Sequence, residues 1–357
     1  MRYAVIMAGG SGKRLWPASR ENKPKQLIKL VDGKCLLDLA LERLEGLFDH
    51  EKILIITNAA YAERVCERFP SLPAENIVGE PEGRDTANAI ALAAELVAAR
   101  GENATMAVFT ADHIIRPEDK FRQCVERACQ AAEENTASLI TFGIRPTFPH
   151  TGLGYIHCAD RTEQDIRRVC AFKEKPKHHT ARYYVESGEY FWNSGMFVWK
   201  VGAIREALKK FLPESIDALA PIGAAAKTGQ DITGLLSDIY PKLPKISIDY
   251  AVMEKAKDVL MVELTCQWLD VGSWPSLADV VKSDDDGNSI VAPRAVVLDC
   301  NQNIIFSDNE HLLAVVGMDD CIIVHTADAT LICKKSDSQR LKELVDLIEQ
   351  KFGLEYI

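Results

Sequence analysis

Short apolar and β-branched runs recur through the first three-quarters of the chain, at residues 3–7, 52–57, 106–110, 138–142, 196–200 and 259–264. Between the early runs lie stretches of helical periodicity at 35–47, at the alanine-rich 86–100, and at 120–135. This alternation predicts a mixed, mostly parallel sheet of Rossmann-like α/β type covered by helices. Open sheets of that kind bind ligands at loops beyond the carboxyl ends of their strands, so the candidate chemistry is sought there.

The pattern changes after residues 283–288, where Ser283, Asp284, Asp285, Asp286, Gly287 and Asn288 form a charged, turn-prone stretch without an apolar residue. Beyond it, runs at 295–298, 312–316, 321–325 and 330–333 alternate with Asp and Asn turns, and a helix is expected over 338–351. The expected organisation is therefore a large domain over 1–282 and a small β-rich module over 283–357. No whole-domain repeat stands out, but the successive short strands would suit a few coils of a β-solenoid, such as a short left-handed β-helix.

Composition narrows the class. The chain has 357 residues, 47% hydrophobic and 26% charged, with 15 prolines, values of an ordinary globular protein. A formal charge of -10 gives no broad basic face for a nucleic-acid backbone. The ten cysteines have no CxxC spacing and read as reduced, mostly buried thiols. The apolar run at 3–8 is too short for a signal peptide, and no stretch approaches the roughly 18 apolar residues of a membrane span. A soluble cytoplasmic protein is expected.

Against that acidic background, residues 13–29 carry Lys13, Arg14, Arg20, Lys23, Lys25 and Lys29 against the single acid Glu21. This reads as a local pocket for an anionic substrate or, more blandly, as a solvated loop. It begins with Ala8-Gly9-Gly10-Ser11-Gly12-Lys13-Arg14-Leu15-Trp16-Pro17, whose glycines let backbone N–H groups approach a triphosphate. A Walker A loop is excluded by Met7 and Arg14 at its glycine and Ser/Thr positions, and a dinucleotide fingerprint by Leu15 at its third glycine. What remains is Arg14, a two-toothed phosphate donor, and Lys25, a point charge able to follow developing negative charge. Such groups stabilise phosphoryl transfer without a covalent intermediate.

The stretch GGSGKRLWPASRENKPKQ resembles the GGxGxRLxP…PKx signature of the sugar nucleotidyltransferases. Its Trp-Pro and Pro-Lys-Gln variants are similar to the mannose-1-phosphate guanylyltransferase subgroup. Lys13 departs from the pattern, standing where a small hydroxyl residue is usual; it adds a cation and leaves Arg14 in register. The resemblance is dense from residue 1 to about residue 282 and looser beyond. It implies Arg14 and Lys25 as catalytic cations and Gly9, Gly10, Gly12 and Lys13 as nucleotide contacts.

Read alone, Asp112 after the third strand is more often a helix cap or turn residue than a ligand. Asp270, in Trp268-Leu269-Asp270-Val271-Gly272-Ser273-Trp274, is a second candidate. Two carboxylates with substrate phosphates make a typical Mg²⁺ site. The segments ADHII and WLDVGSW resemble the family's metal-binding segments, which implies Asp112 and Asp270 as ligands of Mg²⁺ and as catalytic residues. Glu174, Lys175 and Asn193 offer the mixture of acceptors, donors and charge that a hexose phosphate needs, though each alone is simply a polar loop residue. Together with Gly154 they resemble the sugar-phosphate pocket, and Ser247-Ile248-Asp249-Tyr250 matches the subgroup, adding Asp249. Base choice is expected at Glu80, Gly83, Arg84, Asp85 and Thr86, where carboxylates and amides suit guanine; Thr86 reads equally as a helix cap. The subgroup usually shows Gly-Arg-Asn-Thr-Ala-Pro here, so Asp85 and Asn88 are departures that bear on the base rather than the reaction. His113, His178 and His179 are bystanders, His113 a neighbour of the metal site, since a sugar phosphate nucleophile is already ionised.

The resemblance implies an enzyme that makes GDP-mannose and pyrophosphate from GTP and mannose 1-phosphate, with no nucleic-acid or membrane partner. A homodimer through the C-terminal module is a further expectation. Because relatives with a second, isomerase domain extend beyond this point, guanylyl transfer without phosphomannose isomerase activity is expected. The alternatives are the same chemistry with another sugar phosphate or nucleotide, and a noncatalytic sugar-nucleotide sensor.

Overall fold

The computed structural model describes residues 1–10, 12–31, 33–161 and 166–357; Ser11 of the glycine turn lies outside them. Two compact units emerge. The first comprises Met1–Gly9, Arg43–Thr110 and Arg116–Cys266, and the second Gly10–Glu42, Ala111–Ile115 and Gln267–Ile357. The break expected at 282/283 lies inside the second unit, where the cationic stretch after the first strand is gathered together with residues 267–357.

In the first unit a nine-stranded sheet runs in the order Ile77–Glu80, Ile53–Asn58, Arg2–Ala8, Thr105–Thr110, Tyr190–Lys200, Leu139–Ile144, Val259–Leu264, Arg167–Lys173 and Tyr155–Arg161. The first four strands are parallel, as their near-continuous apolar sequences require of strands covered on both faces. Tyr190–Lys200 lies antiparallel to both neighbours, so the sheet is mixed. That strand slips register against Leu139–Ile144 between Asn193 and Phe197, where Gly195 takes a φ of 66°. A bulge of this kind re-aims the side chain beside it, here Asn193.

The helix Asp85–Arg100 buries residues all round, which its alanines allow: small side chains let it lie close to the sheet and to the helix Pro213–Lys227. Among the described residues no helix is long and apolar enough to cross a membrane. The ten cysteines are free thiols, six of them buried and Cys170 exposed. The expected helix over 35–47 is confined to Leu36–Glu42.

In the second unit, Ser289–Val291, Ile304–Ser307 and Cys321–His325 stack in parallel register, and Ala295–Leu298 stacks on Leu313–Val316. These are the coils of a solenoid. At one corner Asn288 and Asn303 are both fully buried. Asn303 donates from Nδ2 to the Asn288 side-chain oxygen at 3.0 Å and to the Met318 carbonyl at 2.6 Å, and its own oxygen accepts from the Cys321 N–H at 2.9 Å. Each coil thus hands backbone groups at this corner to the asparagine of the coil before it, which a buried corner needs. The helix Leu341–Phe352 packs Leu341 and Val345 against Leu15, Trp16, Trp274 and Phe306 in this unit's core.

Asn303→Ala strips several buried polar groups of partners at once and is expected to destabilise the second unit by roughly 3 kcal/mol. A urea midpoint equal to that of the parent would show the ladder to be dispensable.

Candidate active site

The glycine turn opens the second unit. Gly10 and Gly12 have φ of 101° and 66°, and a Cβ at Gly12 would lie 2.9 Å from Lys25 Cβ. Glycine is therefore required at position 12 for both conformation and space, and the turn rests on the stem of Lys25. Leu15 and Trp16 are drawn into the core, which leaves Arg14 exposed and, among the described residues, without an ion pair. Lys25 begins a short turn, Lys25–Leu27, and its Nζ stands 2.6 Å from Asp112 Oδ2.

Asp112 is brought to Asp270 by backbone pairing. His113–Arg116 pairs with Gln267–Asp270, and the Val271 N–H donates to the Asp112 carbonyl at 3.1 Å. One oxygen of each aspartate and a ring nitrogen of His113 lie within 4.8 Å of one another. A Cβ placed on Gly272 would meet Asp270 Oδ1 at 3.5 Å and Arg14 Nη1 at 3.7 Å, so both side chains border Gly272. Arg14, Lys25, Asp112 and Asp270 are thus assembled within one unit. Burial alone would raise the Asp112 carboxyl, but the Lys25 ammonium, which also hydrogen-bonds it, offsets that and holds Asp112 well below the usual carboxylate range.

The donor set suits a hard cation. The Trp268 indole N–H, which can only donate, reaches His113 Nδ1 at 3.1 Å. Neutral His113 then carries its proton on Nε2 and has no lone pair for a metal. Two carboxylates remain, which is the sparse oxygen set that Mg²⁺ accepts when phosphates complete its shell.

The cationic run does not survive as an open pocket. Arg20 is buried, bonded to Pro17, Tyr356 and Asp328. Lys23 pairs with Asp308 at 2.5 Å, and Lys13 with Asp346 and Glu349 at 3.4 and 3.6 Å. Lys13, expected at the nucleotide, is engaged with the helix Leu341–Phe352.

The remaining candidates belong to the first unit. Glu80 is buried and accepts a hydrogen bond from the Tyr240 hydroxyl. Gly83 is exposed, and Arg84 donates to the Pro241 carbonyl. Asp85 sits at φ 66°, a conformation that Asn and Asp tolerate better than other side chains, and caps the Thr86 N–H at 2.8 Å. The departure from asparagine at 85 therefore keeps the loop geometry. Asn88 donates to the Arg84 and Pro244 carbonyls at 3.1 and 2.6 Å, a role proline could not fill. Gly9 is next to Glu80: a Cβ there would lie 3.4 Å from Glu80 Oε2.

The sugar candidates also cluster. A Cβ on Gly154 would lie 2.6 Å from Glu174 Oε2 and 3.6 Å from Asn193 Cβ. The space at Gly154 thus admits Glu174. Asn193 Nδ2 donates to Asp249 Oδ1 at 2.7 Å, and the exposed Lys175 pairs with Glu174 at 3.1 Å. His178 and His179 open the helix His178–Ser187, where a His179 ring nitrogen is hydrogen-bonded with the Thr180 hydroxyl.

Residues 3–287 match the family model described as nucleotidyl transferase, and residues 293–348 that described as MannoseP isomerase/GMP-like beta-helix domain. A mannose-1-phosphate guanylyltransferase of Klebsiella pneumoniae is 39% identical over 361 residues, covering 100% of this chain and 76% of that protein. The chain belongs to the mannose-1-phosphate guanylyltransferase family of nucleotidyltransferases. The xanthan biosynthesis protein XanB of Xanthomonas campestris pv. campestris is likewise 39% identical, over 97% of this chain and 73% of that protein. A solved structure described as mannose-1-phosphate geranyltransferase from Thermus thermophilus superposes with a TM-score of 0.87 at 34% identity, over 98% of this chain and 99% of that one. Family membership accounts for the α/β fold with its β-rich module and for the signature that leads from Gly9 to Lys25.

Two participants were not legible in the family motif. Trp268 orients His113 from within a run read only for its aspartate, and Tyr240 reaches Glu80 from 160 positions away. Burial pushes the Glu80 carboxyl up to about 7, against the hydrogen bond from Tyr240. Burial likewise pushes Asp249 up to about 6, with Asn193 opposing and Glu174 adding to the rise. An acid whose folded value exceeds its unfolded one holds its proton more tightly in the native state. Stability is then greatest below the ordinary carboxylate range and falls as pH rises through about 7 for Glu80. Glu80→Gln should therefore flatten the profile: from pH 5 to 8 the parent is expected to lose roughly 2 kcal/mol more than the variant. Parallel profiles from urea titrations would contradict the shift.

Proposed function

We propose that this chain transfers a guanylyl group from GTP to mannose 1-phosphate, giving GDP-mannose and pyrophosphate. The supporting observation is the convergence of Arg14, Lys25, Asp112 and Asp270, with the Lys25 ammonium 2.6 Å from the Asp112 carboxylate. The phosphate oxygen of mannose 1-phosphate attacks the α-phosphorus in line, the α–β bridging bond breaks, and its electrons leave with pyrophosphate. No base is needed, because the attacking oxygen is ionised at neutral pH. Arg14, exposed and forked, holds triphosphate oxygens. Lys25 balances the charge that builds at the α-phosphorus. Asp112 and Asp270 would hold Mg²⁺, which when bound neutralises phosphate charge.

Asn193, Asp249 and Glu174 supply donors and acceptors for the sugar hydroxyls, and Lys175 a cation for its phosphate. The loop from Glu80 to Asp85 serves the base, whereas the hydroxyl of Thr86, expected there too, accepts from the Ile248 N–H. A homodimer through the C-terminal module belongs to this reading, supported by Val296, Leu298 and Val316, which stand outward and exposed on one solenoid face. A cytoplasmic setting fits the ten free thiols.

Pyrophosphate release measured with GTP, UTP, ATP and dTTP, each against mannose and glucose 1-phosphate, tests the assignment. GTP with mannose 1-phosphate should lead; no Mg²⁺-dependent turnover of any pair would replace the reading with that of a sensor. Lys25→Ala is expected to raise the barrier of the chemical step by about 3 to 4 kcal/mol. Unchanged single-turnover pyrophosphate release by that variant would remove Lys25 from the mechanism.

A further inference from the structure

The loop assigned to the base and the residues assigned to the sugar are laced together by the segment from Tyr240 to Asp249. Going along it, the Tyr240 hydroxyl donates to Glu80, and the Pro241 carbonyl accepts from Arg84. The Pro244 carbonyl accepts from Asn88 Nδ2 at 2.6 Å, and the Ile246 carbonyl from the Ala87 N–H at 3.2 Å. The Ile248 N–H then donates to Thr86 Oγ1 at 2.9 Å. The next residue is Asp249, held by Asn193 at 2.7 Å. Tyr240 and Pro241 lie in the short 3-10 turn Tyr240–Lys242, and beyond it the contacts fall on every second residue, at Pro244, Ile246 and Ile248, as this strap passes along the helix start.

Two features make the last contact decisive for Asp249. Ile248 is 1% exposed, so without Thr86 its N–H would be buried and unpaired. Asp249 also begins a π-helical turn, Asp249–Met253, in which the Glu254 N–H bonds to the Asp249 carbonyl at 2.9 Å. Such turns are uncommon and persist only where their surroundings impose them. Here the Thr86 hydroxyl fixes the backbone at the entrance of the turn and so sets where the Asp249 carboxyl stands.

We infer that Thr86 and Asn88, although they lie beside the base loop, are positioning residues for the sugar phosphate, acting through residues 240–249 on Asp249. The inference rests on the proposed reaction for its kinetic readout, but its direction differs from that of a nucleotide contact. A nucleotide contact at Thr86 would show in KM for GTP. A positioning role shows in KM for mannose 1-phosphate.

The test compares Thr86→Val, which removes the acceptor at nearly constant shape, with Thr86→Ser, which keeps it. Thr86→Val should raise KM for mannose 1-phosphate about tenfold, the effect of one unpaired buried N–H, with KM for GTP changed less than about twofold. Thr86→Ser should return both towards the parent values. Asn88→Ala, which frees the Pro244 carbonyl, should show the same split and stands in should Thr86→Val not fold. Calorimetric binding of mannose 1-phosphate alone provides a readout independent of turnover, and Thr86→Val should weaken it. A rise confined to, or equal in, KM for GTP would overturn the inference. So would unchanged kinetics and binding. Failure of the parent to turn over the pair, with sugar-phosphate binding still weakened by Thr86→Val, would count against the reaction and not against the strap.

Discussion

The guanidinium of Arg20 is buried among acceptors from separate stretches of the second unit: the Pro17 carbonyl at 2.8 Å, the Tyr356 carbonyl, and Asp328 at 2.7 Å. Around it, Trp16 Nε1 donates to the same Tyr356 carbonyl at 2.7 Å, Trp274 Nε1 to the Trp16 carbonyl at 3.1 Å, and the Glu21 N–H to the Ile357 carbonyl at 3.1 Å. A buried charge is tolerated only when its donors are matched, and these matches come from the solenoid and from residues 353–357. The stretch that carries Arg14 and Lys25 is thereby a structural part of the C-terminal module. Positioning of this kind matters because phosphoryl transfer depends on placement and charge rather than on covalent help.

That anchoring also sorts the charges. Lys13, Arg20 and Lys23 are spent on acids of the same unit, and Lys25 is shared with Asp112. Among the described residues Arg14 has no ion pair with an acid, and it stands exposed. A run of six unpaired cations would bind any polyanion; pairing Lys13, Arg20 and Lys23 with acids of their own unit leaves fewer donors, at more defined points. The first unit follows the same logic with the opposite sign, since Glu80 and Asp249 are buried and accept hydrogen bonds from neutral side chains, Tyr240 and Asn193.

Much of this was legible in the residues themselves. Parallel strands announced themselves as apolar runs because both faces are buried, and the four catalytic candidates were named by motif and are found together. The short ribbon of His113–Arg116 with Gln267–Asp270 was not legible, because four-residue strands carry too little periodicity to register against helices and loops. The bulge that aims Asn193 was hidden for a similar reason: it is a relation between two strands, and sequence shows only one at a time. Charge misled in one place. The cluster at residues 13–29 looked like a pocket because its acids, Asp308, Asp328, Asp346 and Glu349, lie some 300 positions away. Asn88, a departure from the family pattern, gained its meaning only from Pro244.

The dependence of the chemistry on the anchored hairpin is most directly measured with Arg20→Met, assayed for pyrophosphate release at saturating GTP and mannose 1-phosphate. With Arg14 and Lys25 released from their fixed positions, kcat should fall on the order of a hundredfold while the nine-stranded unit still unfolds cooperatively. A variant that keeps the parent kcat would contradict the claim that the C-terminal module holds the catalytic cations in place.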